Sequence, residues 1–168
     1  MDGRSFGEAM KARILDPLGM VDTAFSVPVS KLDRFTTLYG PGEDCAMTPL
    51  DAIDGRYVEG KVKTFSGGGG LLSTVSDYYR FTEMLRQGGA LGESRLLSRK
   101  TVQYMTSNHL PGDLASMGQA SFNETTFTRI GFGLGFAVTL DPARAGVMGS
   151  PGEYAWGGMA STAMVWAP

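Results

Sequence analysis

Few residues in this sequence have the chemistry of a catalytic group. His109 is the only histidine, so a Ser-His-Asp relay would have to run through it. It lies in the turn-forming segment NHLPG at 108–112, and no G-x-S-x-G elbow supplies a nucleophile. We interpret His109 as a solvated loop residue, with a catalytic histidine as the alternative.

The residue types present do not indicate a metal site or an internal disulfide. Cys45 is the single cysteine, which excludes an internal disulfide, and no cluster of histidines and cysteines has zinc-ligand spacing. The acidic residues are scattered, without the close pair that a glycosidase uses. We therefore expect no metal site and no cofactor.

Two glycine-rich segments could be mistaken for nucleotide sites. The tetraglycine at 67–70 precedes a predicted helix, but it continues with Leu71 where a phosphate-binding loop needs Gly-Lys-Ser/Thr. Gly131-x-Gly133-x-Gly135 lacks the dinucleotide spacing and leads into an extended run. Both are predicted to serve close backbone packing.

Composition limits the class of protein. The 168 residues carry a net charge of -2, with 42% hydrophobic and 19% charged residues, which suits one folded domain and no nucleic-acid partner. The longest uncharged stretch, 154–168, is shorter than the roughly 20 apolar residues of a membrane span. No apolar signal sequence is visible at the start, and the compartment is left open.

Three helices are predicted to position these residues. Ser5 and Glu8 form a capping box for a short opening helix, which Asp16-Pro17 should stop. The strongest helix follows Thr74 and ends at Gly88. Its apolar face, predicted to be core and not a cofactor box, consists of Tyr78, Phe81, Met84 and Leu85. A third helix, capped by Ser98, should run from Arg99 to about Thr106, with Val102 and Met105 facing inward.

The remaining segments are irregular or extended. Residues 26–65 have no sustained period and are predicted as loop with one short strand pair. Strand-like runs occupy 130–140, 154–156 and 163–166. We predict an α+β fold, a single partial domain over 1–168, with 1–125 mainly helix and loop and 126–168 the strands of a sheet.

Several segments resemble, in order, those of the serine β-lactamase-related family. Residues 14–25, ILDPLGMVDTAF, resemble its I-x-x-P-L-G-M-x-D-T-x-F segment, and 67–89 resemble its G-G-G-G-L-x-S-T-x-x-D-Y-x-R-F segment and the helix that follows. Residues 96–105, LLSRKTVQYM, are similar to its L-L-S-x-x-T-V-x-x-M helix. The family includes class C β-lactamases, penicillin-binding DD-peptidases and carboxylesterases.

The resemblance also implies the site residues. GLGF at 133–136 resembles the family's G-x-G-F strand, and Trp156-Gly157-Gly158 resembles its third catalytic box. That box reads Lys-Thr-Gly in β-lactamases and often Trp-Gly-Gly or His-x-Gly in esterase-like members. The following residue, Met159, would then supply one oxyanion amide. Ordinary strand packing is the alternative role for Trp156.

The family's other two boxes are not in this sequence. None of the five lysines has a serine three residues before it, and none of the six tyrosines has Asn or Ser two residues after it. Nucleophile and base are therefore absent from the 168 residues. We interpret the chain as an internal piece of a β-lactamase/transpeptidase-like fold, holding a helical segment and the middle strands of an antiparallel sheet, whose partners include the rest of its own fold.

The resemblance implies an acyl-transfer enzyme. The parent is expected to form an acyl-enzyme on a small-molecule ester or amide, and to be more esterase-like than β-lactamase. The chain alone is expected to be inactive. The alternative is a non-catalytic binding or structural module that uses the same part of the fold.

Overall fold

A computed structural model describes residues 3–43, 46–51, 55–122, 125–158, 160 and 162–167. Helices and antiparallel sheets are both present, which confirms the α+β prediction. Close contacts divide the chain into two compact units, residues 1–83 and 84–168. The single partial domain over 1–168 stays a prediction. None of the helices in the described ranges is long and apolar enough to cross a membrane.

The opening helix is longer than the sequence predicts. Helix α1 (Phe6–Met10) continues through a π-helical turn (Lys11–Leu15) into α2 (Asp16–Leu18). The predicted stop at Asp16-Pro17 is therefore wrong, and the chain leaves the helix at Gly19, with φ of 65°. A π turn bonds residue i to i−5, as from the Asp16 N–H to the Lys11 carbonyl, and Pro17 then occupies an initial position of α2 that needs no donor.

In the rest of residues 1–83, backbone hydrogen bonds connect short extended segments. A 3-10 helix (Val29–Arg34) precedes strands β1 (Leu38–Pro41) and β2 (Met47–Asp51), whose antiparallel pairing confirms the predicted strand pair. Ala24 and Leu72 exchange two backbone hydrogen bonds of 3.1 and 2.8 Å. The buried apolar side chains of this unit are Leu15, Leu18, Met20, Phe25 and Val58.

Helix α3 (Val75–Arg86) begins at the predicted cap, where the Asp77 N–H donates to Thr74 Oγ1 at 3.2 Å. Met84 and Leu85 are buried as predicted, but Tyr78 is 42% exposed. The buried side of the helix is centred on Asp77 and Met84, which lie seven residues apart on one face. The helix is rotated from the predicted face because Asp77 has buried hydrogen-bond partners.

Residues 84–168 contain a four-stranded antiparallel sheet and two short helices. Its strands, in spatial order, are β7 (Ile130–Phe132), β8 (Ala137–Thr139), β9 (Tyr154–Gly157) and β10 (Ala163–Trp166). Helix α4 (Arg99–Met105) has the predicted Ser98 cap. Helix α5 (Pro142–Ala145), unpredicted, is capped by Asp141. Within the described residues, two further pairs of two-residue strands are antiparallel: β3 (Ala90–Leu91) with β4 (Ser94–Arg95), and β5 (Ser121–Phe122) with β6 (Thr125–Thr126).

The buried core residues of this unit come from the end of α3, from α4 and α5, and from the strands of the sheet and the turn before β8. Its fully or nearly buried apolar residues are Met84, Leu85, Val102, Ile130, Phe136, Val138, Ala145, Tyr154 and Met164. Tyr154 forms ring contacts with Phe136 and Trp166, at 5.1 and 6.2 Å between centroids. These contacts connect Phe136, directly before β8, with Tyr154 of β9 and Trp166 of β10.

Candidate functional site

The carboxyl ends of two strands, β7 and β9, lie at the same end of the sheet. β7 and β9 each pair antiparallel with β8, so they run parallel to one another and their carboxyl ends lie together. Phe132 is the last residue of β7 and Gly157 the last of β9. The candidate site is built on this end of the sheet, which we call the sheet end: Phe132, Leu134, Trp156, Gly157 and Gly158.

Trp156 is the largest side chain of the sheet end. It lies opposite Met164 of β10, which is buried, while its own side chain is 49% exposed. Its ring meets that of Phe132 edge to face, with centroids 5.3 Å apart and planes at 75°. The indole therefore offers an apolar surface to solvent beside the end of β9.

The two glycines after Trp156 leave the backbone uncovered. Gly157 pairs with Ala163, and the Gly158 N–H donates to the Thr162 carbonyl at 2.8 Å. Both glycines are exposed, so a substrate could approach this backbone without meeting a Cβ atom. Met159, to which the resemblance assigns the oxyanion amide, lies outside the described residues, and its role stays a prediction.

Phe132 was not identified from the sequence, yet its backbone is held firmly. Its N–H donates to Asn108 Oδ1 at 3.0 Å, and its carbonyl accepts from the His109 N–H at 2.8 Å. The Ile130 carbonyl accepts from Leu114 N–H at 2.8 Å. The 108–114 segment thus covers the outer edge of β7, which would otherwise offer free pairing groups. The sequence signal that could have indicated Phe132 is its position directly before the G-x-G-F segment.

Gly131 of β7 and Gly133, which directly follows the strand, make this covering possible. A Cβ atom at Gly131 would lie 2.5 Å from Asn108 Cγ, and one at Gly133 would lie 2.1 Å from the Met105 carbonyl oxygen. Both distances are far below van der Waals contact, so only glycine allows the loop and the end of α4 to come this close. The prediction of close backbone packing is confirmed for Gly131 and Gly133. It is wrong for Gly135, where a Cβ atom would meet no atom within 4 Å, and for the tetraglycine at 67–70, where it would meet none closer than 3.8 Å.

His109 is an exposed loop residue, as predicted. Its ring Nε2 lies 2.7 Å from the Tyr104 carbonyl oxygen, and the two rings meet edge to face at 4.5 Å. The ring nitrogen is therefore engaged by a backbone acceptor. Over the described residues, no group of three or more His, Cys, Asp or Glu side chains is placed to hold a metal ion.

A separate cavity of about 280 Å³ lies within residues 1–83. Its charged lining includes Asp22, whose carboxylate forms ion pairs with Lys31 and, at 2.9 Å, with Arg34. The hydrogen bond from Lys31, followed by that from Arg34, lowers the pKa of Asp22 below its ordinary value. Because these cations are already paired with a carboxylate, the cavity has no strong excess charge for a ligand.

The chain is similar to other proteins in sequence and in fold. Protein Rv1367c of Mycobacterium tuberculosis is 32% identical over 154 residues, covering 89% of this chain and 37% of that protein. Among solved structures, EstCE1, described as a hydrolase with promiscuous acyltransferase activity, matches with TM-score 0.78 and 22% identity over 99% of this chain and 43% of that one. Simvastatin synthase (LovD) from Aspergillus terreus matches with TM-score 0.77 and 21% identity over the same shares, 99% and 43%.

These matches confirm the expected partial β-lactamase/transpeptidase-like fold. The chain spans less than half the length of these relatives. A family model described as Beta-lactamase matches residues 1–168. The chain therefore belongs to the beta-lactamase family.

Proposed function

We propose that the protein to which this chain belongs is a serine hydrolase that forms an acyl-enzyme on a small-molecule ester or amide, and that it is more esterase-like than β-lactamase. One observation carries the preference for esters. Trp156, half exposed at the end of β9, stands where the resemblance puts the lysine of a β-lactamase third box. The relatives EstCE1 and LovD, named for hydrolase, acyltransferase and synthase activities, add support from the same fold.

The preference follows from the chemistry of the two side chains. A lysine at this position can pair with the carboxylate of a β-lactam through a charge-assisted hydrogen bond. An indole has no positive charge, but it gives apolar contact to an acyl or alcohol group of an ester. Because specificity is a difference in transition-state binding, the exchange favours neutral esters over anionic β-lactams.

The reaction needs groups that the 168 residues do not contain. No serine lies three residues before a lysine, so the proposal assigns the nucleophile and its base to residues outside this sequence. In the proposed protein, that serine attacks the ester carbonyl, the alcohol leaves, and water hydrolyses the acyl-enzyme. Gly157, Gly158 and Met159 would border the oxyanion, with the Met159 amide as one donor. The chain alone is expected to leave p-nitrophenyl esters and a chromogenic cephalosporin unhydrolysed.

The test compares two substrates with the full-length protein. We expect kcat/KM for p-nitrophenyl butyrate to exceed that for a chromogenic cephalosporin, and Trp156→Lys to shift the ratio toward the cephalosporin. Trp156→Phe is the matched control, since it keeps an apolar ring without adding charge. A wild-type preference for the cephalosporin would contradict the proposal. Failure of a fluorophosphonate probe to label the full-length protein would favour the non-catalytic module instead.

A further inference from the structure

We propose that Phe132 is a positioning residue for Trp156, and that the two rings together form the wall that selects the acyl group of the substrate. The inference rests on the proposed esterase function and adds a specificity-determining residue to it. Nothing in the Trp-Gly-Gly segment itself indicates Phe132, which lies 24 positions earlier in the chain. The two residues meet because the carboxyl ends of β7 and β9 both lie at the sheet end.

Phe132 is suited to fix the direction of the indole because its own backbone is fixed. Both its N–H and its carbonyl are bonded to the 108–109 segment, at 3.0 and 2.8 Å. Its Cα can therefore move little without breaking two hydrogen bonds. The ring of Trp156, in contrast, is half exposed and faces solvent on one side.

The ring geometry gives the wall its shape. The edge-to-face contact, at 5.3 Å and 75°, is an arrangement that aromatic pairs prefer electrostatically. Among the described residues, Phe132 is the aromatic ring that contacts the indole. Loss of that ring would let the indole turn into the vacated space, which would lower the apolar surface available beside Gly157.

The expected functional effect concerns acyl length. An apolar surface distinguishes substrates that differ by one methylene by about 10-fold or more, and butyrate differs from acetate by two. A wall that is displaced loses part of this discrimination. For the full-length protein, we expect Phe132→Leu to lower the butyrate-to-acetate ratio of kcat/KM by about 10-fold, mainly through a higher KM for butyrate. Phe132→Tyr keeps the ring and should keep the butyrate-to-acetate ratio of kcat/KM at the wild-type value.

Phe35→Leu is the matched control. Phe35 is also half-buried and forms a comparable edge-to-face pair, with Tyr57 at 6.3 Å and 72°, so the same substitution removes the same kind of contact. It should leave the acyl ratio unchanged. If Phe132→Leu does not fold by circular dichroism, Phe132→Met provides the same loss of the ring with an adaptable side chain.

A second measurement does not depend on activity. In full-length protein labelled with 5-fluorotryptophan, Trp156→Phe identifies the Trp156 fluorine resonance by its disappearance. Phe132→Leu should shift and broaden that resonance, whereas Phe35→Leu should leave it in place. An unchanged Trp156 resonance would overturn the positioning role.

The two measurements separate the proposals. A shifted resonance with an unchanged acyl ratio would overturn the acyl wall and leave the esterase proposal standing. A shifted resonance in a protein without any esterase activity would support the positioning of Trp156 by Phe132. That last outcome would overturn the proposed function, and the acyl role of the wall with it.

Discussion

The carboxylate of Asp77 accepts a hydrogen bond from the hydroxyl of Thr23 at 2.9 Å, across 54 positions of sequence. The same oxygen, Oδ2, accepts from the Asp22 N–H at 2.7 Å. Asp77 and Thr23 are 5% and 6% exposed, so the bond between them is buried, and the bond from Asp22 is partly buried. They join the L-G-M-x-D-T segment to the S-T-x-x-D-Y segment, and they give the side chains of Thr23 and Asp77 a structural role.

Removal of this carboxylate should destabilise the fold. We expect Asp77→Ala to lower the free energy of unfolding by about 2–3 kcal/mol, because the Thr23 hydroxyl and Asp22 N–H lose a buried charged acceptor. Thr23→Val should cost less, about 1–2 kcal/mol. Urea denaturation measures both losses. The double variant should lose less free energy of unfolding than the sum of the two single variants, because both substitutions remove the same hydrogen bond. Asp33→Ala, at an exposed carboxylate, is the control, and an equal loss there would refute the assignment.

The close approach of α4 to β7 gives a second prediction. Gly133→Ala would place a Cβ atom 2.1 Å from the Met105 carbonyl oxygen, and that backbone must move to admit it. We expect a loss of about 1–3 kcal/mol in the free energy of unfolding. Gly69→Ala is the matched control, since a Cβ there meets no atom within 4 Å. Equal thermal midpoints for the two variants would rule out the steric explanation.

Local signals accounted for much of the fold. The Ser98 cap, the apolar spacing of α4 and the strand-like runs at 154–156 and 163–166 are features of neighbouring residues, and the structure contains all of them. The end of the opening helix was predicted wrongly because Pro17 usually stops a helix, whereas a π turn here lets the helix pass it. That turn has no simple signature in the sequence.

The site was only partly predictable for a different reason. Resemblance indicated Trp156, Gly157 and Gly158, but not the Phe132 ring or the Asn108 amide that holds the Phe132 backbone. Those contacts join positions 24 residues apart in each case, and they depend on strand order and register, which local patterns do not specify. Tyr78 was misassigned because a buried carboxylate, Asp77, changed which face of α3 is covered.

Acid should weaken the ion pairs of Asp22. Lys31 and Arg34 lower its pKa below the ordinary value of 3.8, so the unfolded chain binds a proton at higher pH than the folded one. The stabilisation is therefore present above about pH 3.8 and is lost as pH falls through the folded-state pKa. Asp22→Asn should flatten the dependence of the urea midpoint on pH between 5 and 2. If the urea midpoint of Asp22→Asn changed with pH as steeply as that of the wild type, these ion pairs would not contribute to stability.

At the alkaline end, Tyr154 should control stability. Burial of its phenol raises the pKa from 10.0 to about 12, because the phenolate cannot be hydrated where the side chain is 6% exposed. The unfolded chain then loses this proton first, so stability is intact below about pH 10 and falls as pH rises toward 12. Over that interval the loss should be about 1–3 kcal/mol.

Tyr154→Phe tests this linkage because it keeps the ring contacts with Phe136 and Trp166 while removing the proton. Urea midpoints between pH 9 and 11.5 should decline less in the variant than in the wild type. A smaller decline should remain, since burial also raises the pKa of Tyr78. Tyr39→Phe, at a 50% exposed tyrosine, should retain the full decline. If Tyr154→Phe declined as steeply as the wild type, the alkaline loss would have to arise from groups other than this buried phenol.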